Sequence, residues 1–298
     1  MFHYASQDLL YVLCGTNTNA DHYLYAYTTS GQQRCLITIP AAAGMSRVDG
    51  FSIRGGSAYI VDSQGPIYAS QAGKLGGSVY TVDWTNPCGC TASGTCALST
   101  AMWSPTVTKT FALSATASSI GDGGGNDQYF RNSGIVVTAD SLFAVNGVHP
   151  IGGSLSAAYP KSLVKVSLGD TGASATASQK WSFTASTLGH DVDMEALACG
   201  ADACATHIYV GDEYNYVYKL NLGTADPARA VEYEYDLKDI VGRAVADDKG
   251  IESLAYAAST GYFYAGIQGT STVHVVSLSN SNSDGEATNP RWESFGMY

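Results

Sequence analysis

Charge is scarce in this chain: Asp, Glu, Lys and Arg together make up 14% of its 298 residues, and only 15 of those side chains are basic. Surface helices carry periodic charged faces, so a chain this poor in charge holds few of them. The 26 acidic side chains leave a net charge of −11, which disfavours nucleic acid and anionic membranes, since both are bound through basic clusters. A hard cation such as calcium is the partner this balance tolerates. No apolar run approaches the roughly 20 residues that a membrane-crossing helix needs. A secretory leader is not expected either, because MFHYASQDLL has neither a basic start nor an apolar core. Walker loops, dinucleotide fingerprints and the G-x-S-x-G nucleophile turn are also missing, which removes the commonest nucleotide and serine-hydrolase readings.

What is abundant is glycine, 33 residues of it, with many Ser, Thr and Ala. This is the composition of short strands joined by turns, and one closed all-β domain of this length is ordinary. Seven cysteines stand at 14, 35, 88, 90, 96, 199 and 204. Cys199 and Cys204 bracket a strand-to-strand turn where a disulfide fits, and Cys88, Cys90 and Cys96 crowd one Gly/Ser/Thr-rich loop. Disulfides in an extracellular or otherwise oxidising compartment, with one cysteine left over, are therefore expected. Unpaired thiols in a reducing compartment are the plainer reading, and zinc is the weaker one because no histidine lies at ligand spacing.

Self-similarity supplies the frame. The stretch HDVDMEALACGADACATHIYVGDEYNYVYKLNL, from His190 to Leu222, is followed by a second copy, KGIESLAYAASTGYFYAGIQGTSTVHVVSL, from Lys249 to Leu278. Glu252 takes the place of Glu195, and Tyr264 that of Tyr209. An aromatic followed by small or branched apolar residues recurs in LLYVLCG, SAYIVDS, SLFAVNG, HIYVGDE and YFYAGIQ, making Cys14, Asp62, Asn146, Asp212 and Ile267 equivalent. Third strands follow as HYLYAYT, GSVYTVDW, SLVKVSL, YVYKLNL and TVHVVSL. Their alternating tyrosines read as packing between sheets.

Repeats of four antiparallel strands arranged in a ring make a β-propeller. Five blades are counted, at about 1–40, 47–113, 132–185, 192–237 and 250–296; a sixth lying upstream of a chain that starts inside a blade remains the alternative. Long excursions lie between Thr85 and Ser104, between Ser114 and Asn132, and between Val148 and Lys161. The middle one contains GDGGGND, which reads either as a solvated turn or as a calcium loop on Asp122, Asn126 and Asp127 that lacks the closing Glu of an EF-hand.

Inner strands line the channel of a propeller, and residues i and i+2 point the same way. Alignment sets Arg47 and Asp49, Arg131 and Ser133, Asp193 and Glu195, and Gly250 and Glu252 at equivalent pairs. One channel mouth thus gathers two arginines and several carboxylates. Crowded carboxylates need cations to coexist, and Ca²⁺ takes six to eight oxygen ligands. Glu195, Glu252, Glu213, Asp49, Asp212 and Asp62 are the candidate ligands, with Arg47, Arg131 and Asp193 as candidate catalytic groups. A water-lined ionic network without chemistry is the other reading. His190 with Asp191 and Asp193 is a weaker base-and-acid constellation, and His149, His207 and His274 are dispersed.

Residues DMEALAC and HIYVGDEYNYVYKL resemble a segment of β-propeller phytases that reads E-G-x-x-x-D followed by L-Y-I-A-E-E and I-W-K. KGIESLAYAASTGYFYAGIQGTSTVHVV is similar to their I-E-G-L followed by a strand ending S-S-Q-G-N-S. The likeness runs over about 190–278 and, more weakly, 47–84. Such kinship implies calcium in the channel and, for true phytases, calcium-assisted attack of water on a phosphomonoester, with Glu195, Glu213 and Glu252 at the family's acidic positions. Ala196 and Ser253 stand where that family has Gly, and its Lys/Arg-rich phosphate cradle has no clear counterpart. Two functions are carried forward: a secreted, calcium-dependent phosphoester or ester hydrolase, and a non-catalytic extracellular module that binds a protein, a glycan or copies of itself.

Overall fold

The computed structural model describes residues 1–14, 20–43, 45, 48–62, 78–112, 128–131, 134–150, 161–168, 177–183, 188–189, 192–224, 226–237, 250–267, 272–278 and 293–296. Five small antiparallel sheets form along the chain. The first blade is β1 (Phe2–Tyr4), β2 (Leu9–Cys14), β3 (His22–Thr28) and β4 (Gln33–Ile39). The second is β5 (Val48–Arg54), β6 (Ser57–Asp62) and β7 (Ser78–Asp83); the chain then leaves through β8 (Thr100–Met102) and returns as β9 (Val107–Ala112). In the third, β10 (Gln128–Arg131) and β11 (Ile135–Val137) both pair with a long β12 (Ser141–Pro150), followed by β13 (Lys161–Ser167) and β14 (Ala177–Phe183). The fourth is β15 (Met194–Cys199), β16 (His207–Asp212), β17 (Tyr216–Asn221) and β18 (Val231–Asp236), and the fifth β19 (Ile251–Ala257), β20 (Tyr262–Ile267), β21 (Thr272–Val276) and β22 (Glu293–Gly296).

Side chains on a strand alternate between two faces. In a ring of blades both faces are covered, so second and third strands are apolar on both sides. β2 shows the rule: Leu9 and Tyr11 pack toward the second blade with Phe51 and Ile60, whereas Leu10 and Val12 pack toward the fifth with Ala255 and Tyr264. The described residues give five such clusters, one for each pair of neighbouring blades. The last, joining Leu10, Val12 and Tyr27 to Tyr264, Val273 and Val275, closes the ring, so the propeller has five blades and no gap for a sixth. Tyr27, Tyr218 and Tyr235 are buried in these interfaces, as the tyrosine pattern anticipates.

The excursion after β7 straps blade two to blade one. β8 adds to the outer edge of β4 in parallel, Leu36 facing Thr100 and Thr38 facing Met102. Disulfides join Cys35 to Cys88, Cys90 to Cys96, and Cys199 to Cys204, leaving Cys14 as a free thiol. Beneath the strap Trp84 and Trp103 meet edge to face at 5.1 Å, and Gln7 links the Cys90 carbonyl to the Tyr11 hydroxyl. Among the described residues no helix is long and apolar enough to cross a membrane. GDGGGND lies outside the described residues.

Candidate functional site

Inner strands β1, β5, β11, β15 and β19 surround the hub. Their ladders confirm the sequence register: Val48 faces Asp62, Met194 faces Asp212 and Ile251 faces Ile267. In each of these three strands the ladder slips by one residue immediately afterwards, between Val48 and Gly50, Met194 and Ala196, and Ile251 and Ser253. The skipped residues are Asp49, Glu195 and Glu252. Each acidic side chain thus sits at a β-bulge, a device that bends a strand and re-aims one residue.

Blade four turns this device into a cluster. The Glu213 amide donates to the Asp193 carbonyl at 2.9 Å, which extends the β15–β16 ladder one residue beyond β15 and sets the two acidic residues side by side. The bulge brings Glu195 to the same place. Asp193, Glu195 and Glu213 each offer a carboxylate oxygen, and those atoms all lie within 4.8 Å of one another. Asp193 is 3% exposed and Glu195 7%, with Glu213 half-buried.

Neighbouring blades hold this corner. Gly134, at the foot of the third inner strand, lies against the backbone of Glu195 and Ala196: a Cβ there would stand 2.8 Å from the Glu195 carbonyl oxygen. Gly250 abuts the backbone of Glu213 so closely that any side chain would collide with it. Blade four's acidic end is therefore gripped on both sides by glycine.

Asp212 has a different task from the ligand role its position suggested. Fully buried, its Oδ1 accepts from the amides of Tyr214 at 3.0 Å and Tyr216 at 2.8 Å, and its Oδ2 accepts from the Tyr218 hydroxyl at 2.7 Å. These bonds shape the turn in which Asn215 adopts a positive φ of 67°, and that turn carries Glu213. Burial first, and the Asp212 charge second, push the Tyr218 phenol far above its ordinary pKa, so it stays a donor.

Glu252 and Asp49 occupy the matching bulges of blades five and two but do not join the trio. Arg131 ends β10 opposite Gly147. Arg47 lies outside the described residues, as do His190 and Asp191. Asp62 closes the β5–β6 ladder opposite Val48. His274, on β21, is half-buried and its pKa is lowered by that burial. The sequence names Glu195 and Glu213 as candidate ligands and Asp193 as a candidate catalytic group; it does not single these three out from Asp212 or Glu252, because a bulge and a turn decide where each is aimed.

Electrostatically the trio is an all-oxygen, hard-donor set, and such a set suits calcium better than zinc or copper, which favour nitrogen and sulfur. The arrangement defines the class of protein: a five-bladed β-propeller with an acidic corner at one mouth of its hub. No family model matches the chain, and no curated protein matches it either. Among solved structures it is similar to the Myceliophteria thermophila Cps50 (Swd1) β-propeller domain, at 10% identity and a TM-score of 0.42, over 96% of this chain and 74% of that one. At that level the likeness carries no argument, and the propeller assignment rests on the five sheets and their interfaces. The resemblance to β-propeller phytases finds no support in these comparisons.

Proposed function

We propose that this protein is a calcium-binding β-propeller of an oxidising, extracellular compartment, with the ion held by Asp193, Glu195 and Glu213. The observation that carries the reading is the convergence of three carboxylates within 4.8 Å at a corner that a bulge, a cross-strand pair and two glycines combine to build. Three disulfides are consistent with the compartment. The finer reading is hydrolysis of a phosphate ester or another small ester at this mouth. When bound, calcium supplies a Lewis acid that polarises a phosphoryl or carbonyl oxygen and acidifies water. The chain's own part is to hold and orient: Asp193, Glu195 and Glu213 fix the donor geometry, Asp212 fixes the turn behind Glu213, and Arg131 and Arg47, set at equivalent positions by the sequence repeat alone, are the proposed groups for an anionic oxygen.

A second reading, a non-catalytic binding or assembly module, is favoured by β8. It ends its sheet, and Leu98 and Met102 beside and within it are 52% and 67% exposed; an edge strand with exposed apolar side chains is a surface that partners use. Melting curves and p-nitrophenyl phosphate turnover, each with calcium and with chelator, separate the readings. Calcium at about 100 times its Kd adds roughly 2.7 kcal/mol of stability, a rise of roughly 5 °C for a chain of this size. Turnover that follows calcium supports the hydrolase, and a calcium-dependent melt without turnover leaves the binding module. A melt indifferent to both additions refutes the proposal.

A further inference from the structure

The hub has a second mouth, where the inner strands end, and it is chemically unlike the first. There the strand ends and their turns enclose a cavity of about 560 Å³, to which all five blades contribute. That volume lies within the few hundred to one thousand Å³ typical of sites for small organic molecules. Its walls are apolar, with Phe2, Ile53, Val136, Leu197, Leu254 and Tyr256 among them. Among the described residues each inner strand forms a ladder with its second strand only, so its other edge is turned toward the hub.

Charge at this mouth runs against the chain as a whole. The molecule carries −11, yet no carboxylate is among the described residues that line the cavity, and the one Lys or Arg there is Arg54. The turns that ring the opening do contain Asp8, Asp140 and Asp202, but each is engaged by hydrogen bonds, Asp140 and Asp202 within their own turns and Asp8 across to the fifth blade. Asp8 accepts from Ser259 at 2.6 Å and pairs with His3 at 3.0 Å, Asp140 accepts from Thr138 at 3.1 Å, and Asp202 accepts from the Thr206 hydroxyl at 2.6 Å. Arg54 is exposed, lines the opening and precedes Gly55 and Gly56, both at positive φ, where an added Cβ would meet nothing within 4 Å.

We propose that this mouth is a binding site for a small amphipathic organic anion, with an apolar ring-bearing body between the inner strands and a single acidic group on Arg54. This site is separate from the acidic corner and stands or falls without it. The test uses two fluorescent probes on the full chain: 1-anilinonaphthalene-8-sulfonate, which carries a sulfonate, and N-phenyl-1-naphthylamine, which is uncharged. Both should bind saturably at one site per chain, with affinities that chelator leaves unchanged. Arg54→Gln should weaken the sulfonate about tenfold and the amine less than twofold. Ala201→Trp and Ala258→Trp, substitutions at exposed turn residues of two neighbouring blades, should cover the opening and weaken both probes at least tenfold while the melting temperature stays within a few degrees. Absence of saturable binding, or binding untouched by both tryptophans, would overturn the site. An equal loss of both probes in Arg54→Gln would overturn the assignment of an anion.

Discussion

Adjacent residues Asp212 and Glu213 lie at the same strand end and take opposite parts. Alternation turns the first into the space between blades, where it organises a turn, and the second toward the hub, where it joins the trio. The Tyr218 hydroxyl donates to the buried Asp212 carboxylate at 2.7 Å, and a hydrogen bond to a charged group is worth about 1.5 to 3 kcal/mol. Tyr218→Phe should therefore lower stability by about 2 kcal/mol in chemical denaturation and, through the turn, weaken calcium at Glu213. A variant with unchanged stability would show that the turn holds without this bond. At this scale the residue types were legible, since acidic residues repeat at fixed positions. Their aim was not, because one skipped ladder position decides it, and the letters Met-Glu-Ala do not announce a bulge.

Strands were the most legible elements. An aromatic and a run of branched apolar residues survive in every second strand because both faces are covered by neighbouring blades. β8 escaped notice: Thr-Ala-Met is too short for a pattern, and it is a strand because β4 offers it an edge. The Cys35–Cys88 link was equally hidden, as it joins residues 53 apart in sequence and in different blades, whereas Cys199–Cys204 could be read from its turn. That difference in span has an energetic consequence. Chain-entropy arguments give about 4 kcal/mol for closing the long loop and about 2 kcal/mol for the short one. Replacing Cys35 and Cys88 together by Ser should thus cost more in denaturant unfolding than replacing Cys199 and Cys204. The reverse order would mean that the strap is held by the Trp84–Trp103 packing and not by its cross-link.

For the whole molecule, blade count was the ambiguous quantity in the sequence, since counting repeats cannot tell a closed ring from a fragment of a larger one. Closure depends on the fit between the first and last blades, which Leu10, Val12 and Tyr27 make against Tyr264, Val273 and Val275. A ring also gives the hub two unlike ends, because all inner strands run the same way: carboxylates gather where they begin, and apolar walls with Arg54 where they finish. Glycines at 134 and 250 let the neighbouring inner strands close on blade four and fix its acidic corner. The central claim is that this corner holds calcium, and calorimetric titration of the ion into the chelator-treated chain tests it most directly. One saturable site per chain is predicted, lost or weakened at least tenfold in Glu195→Gln and in Glu213→Gln. An unmodified chain that takes up no calcium, or variants that bind it as well as the parent, would contradict the account.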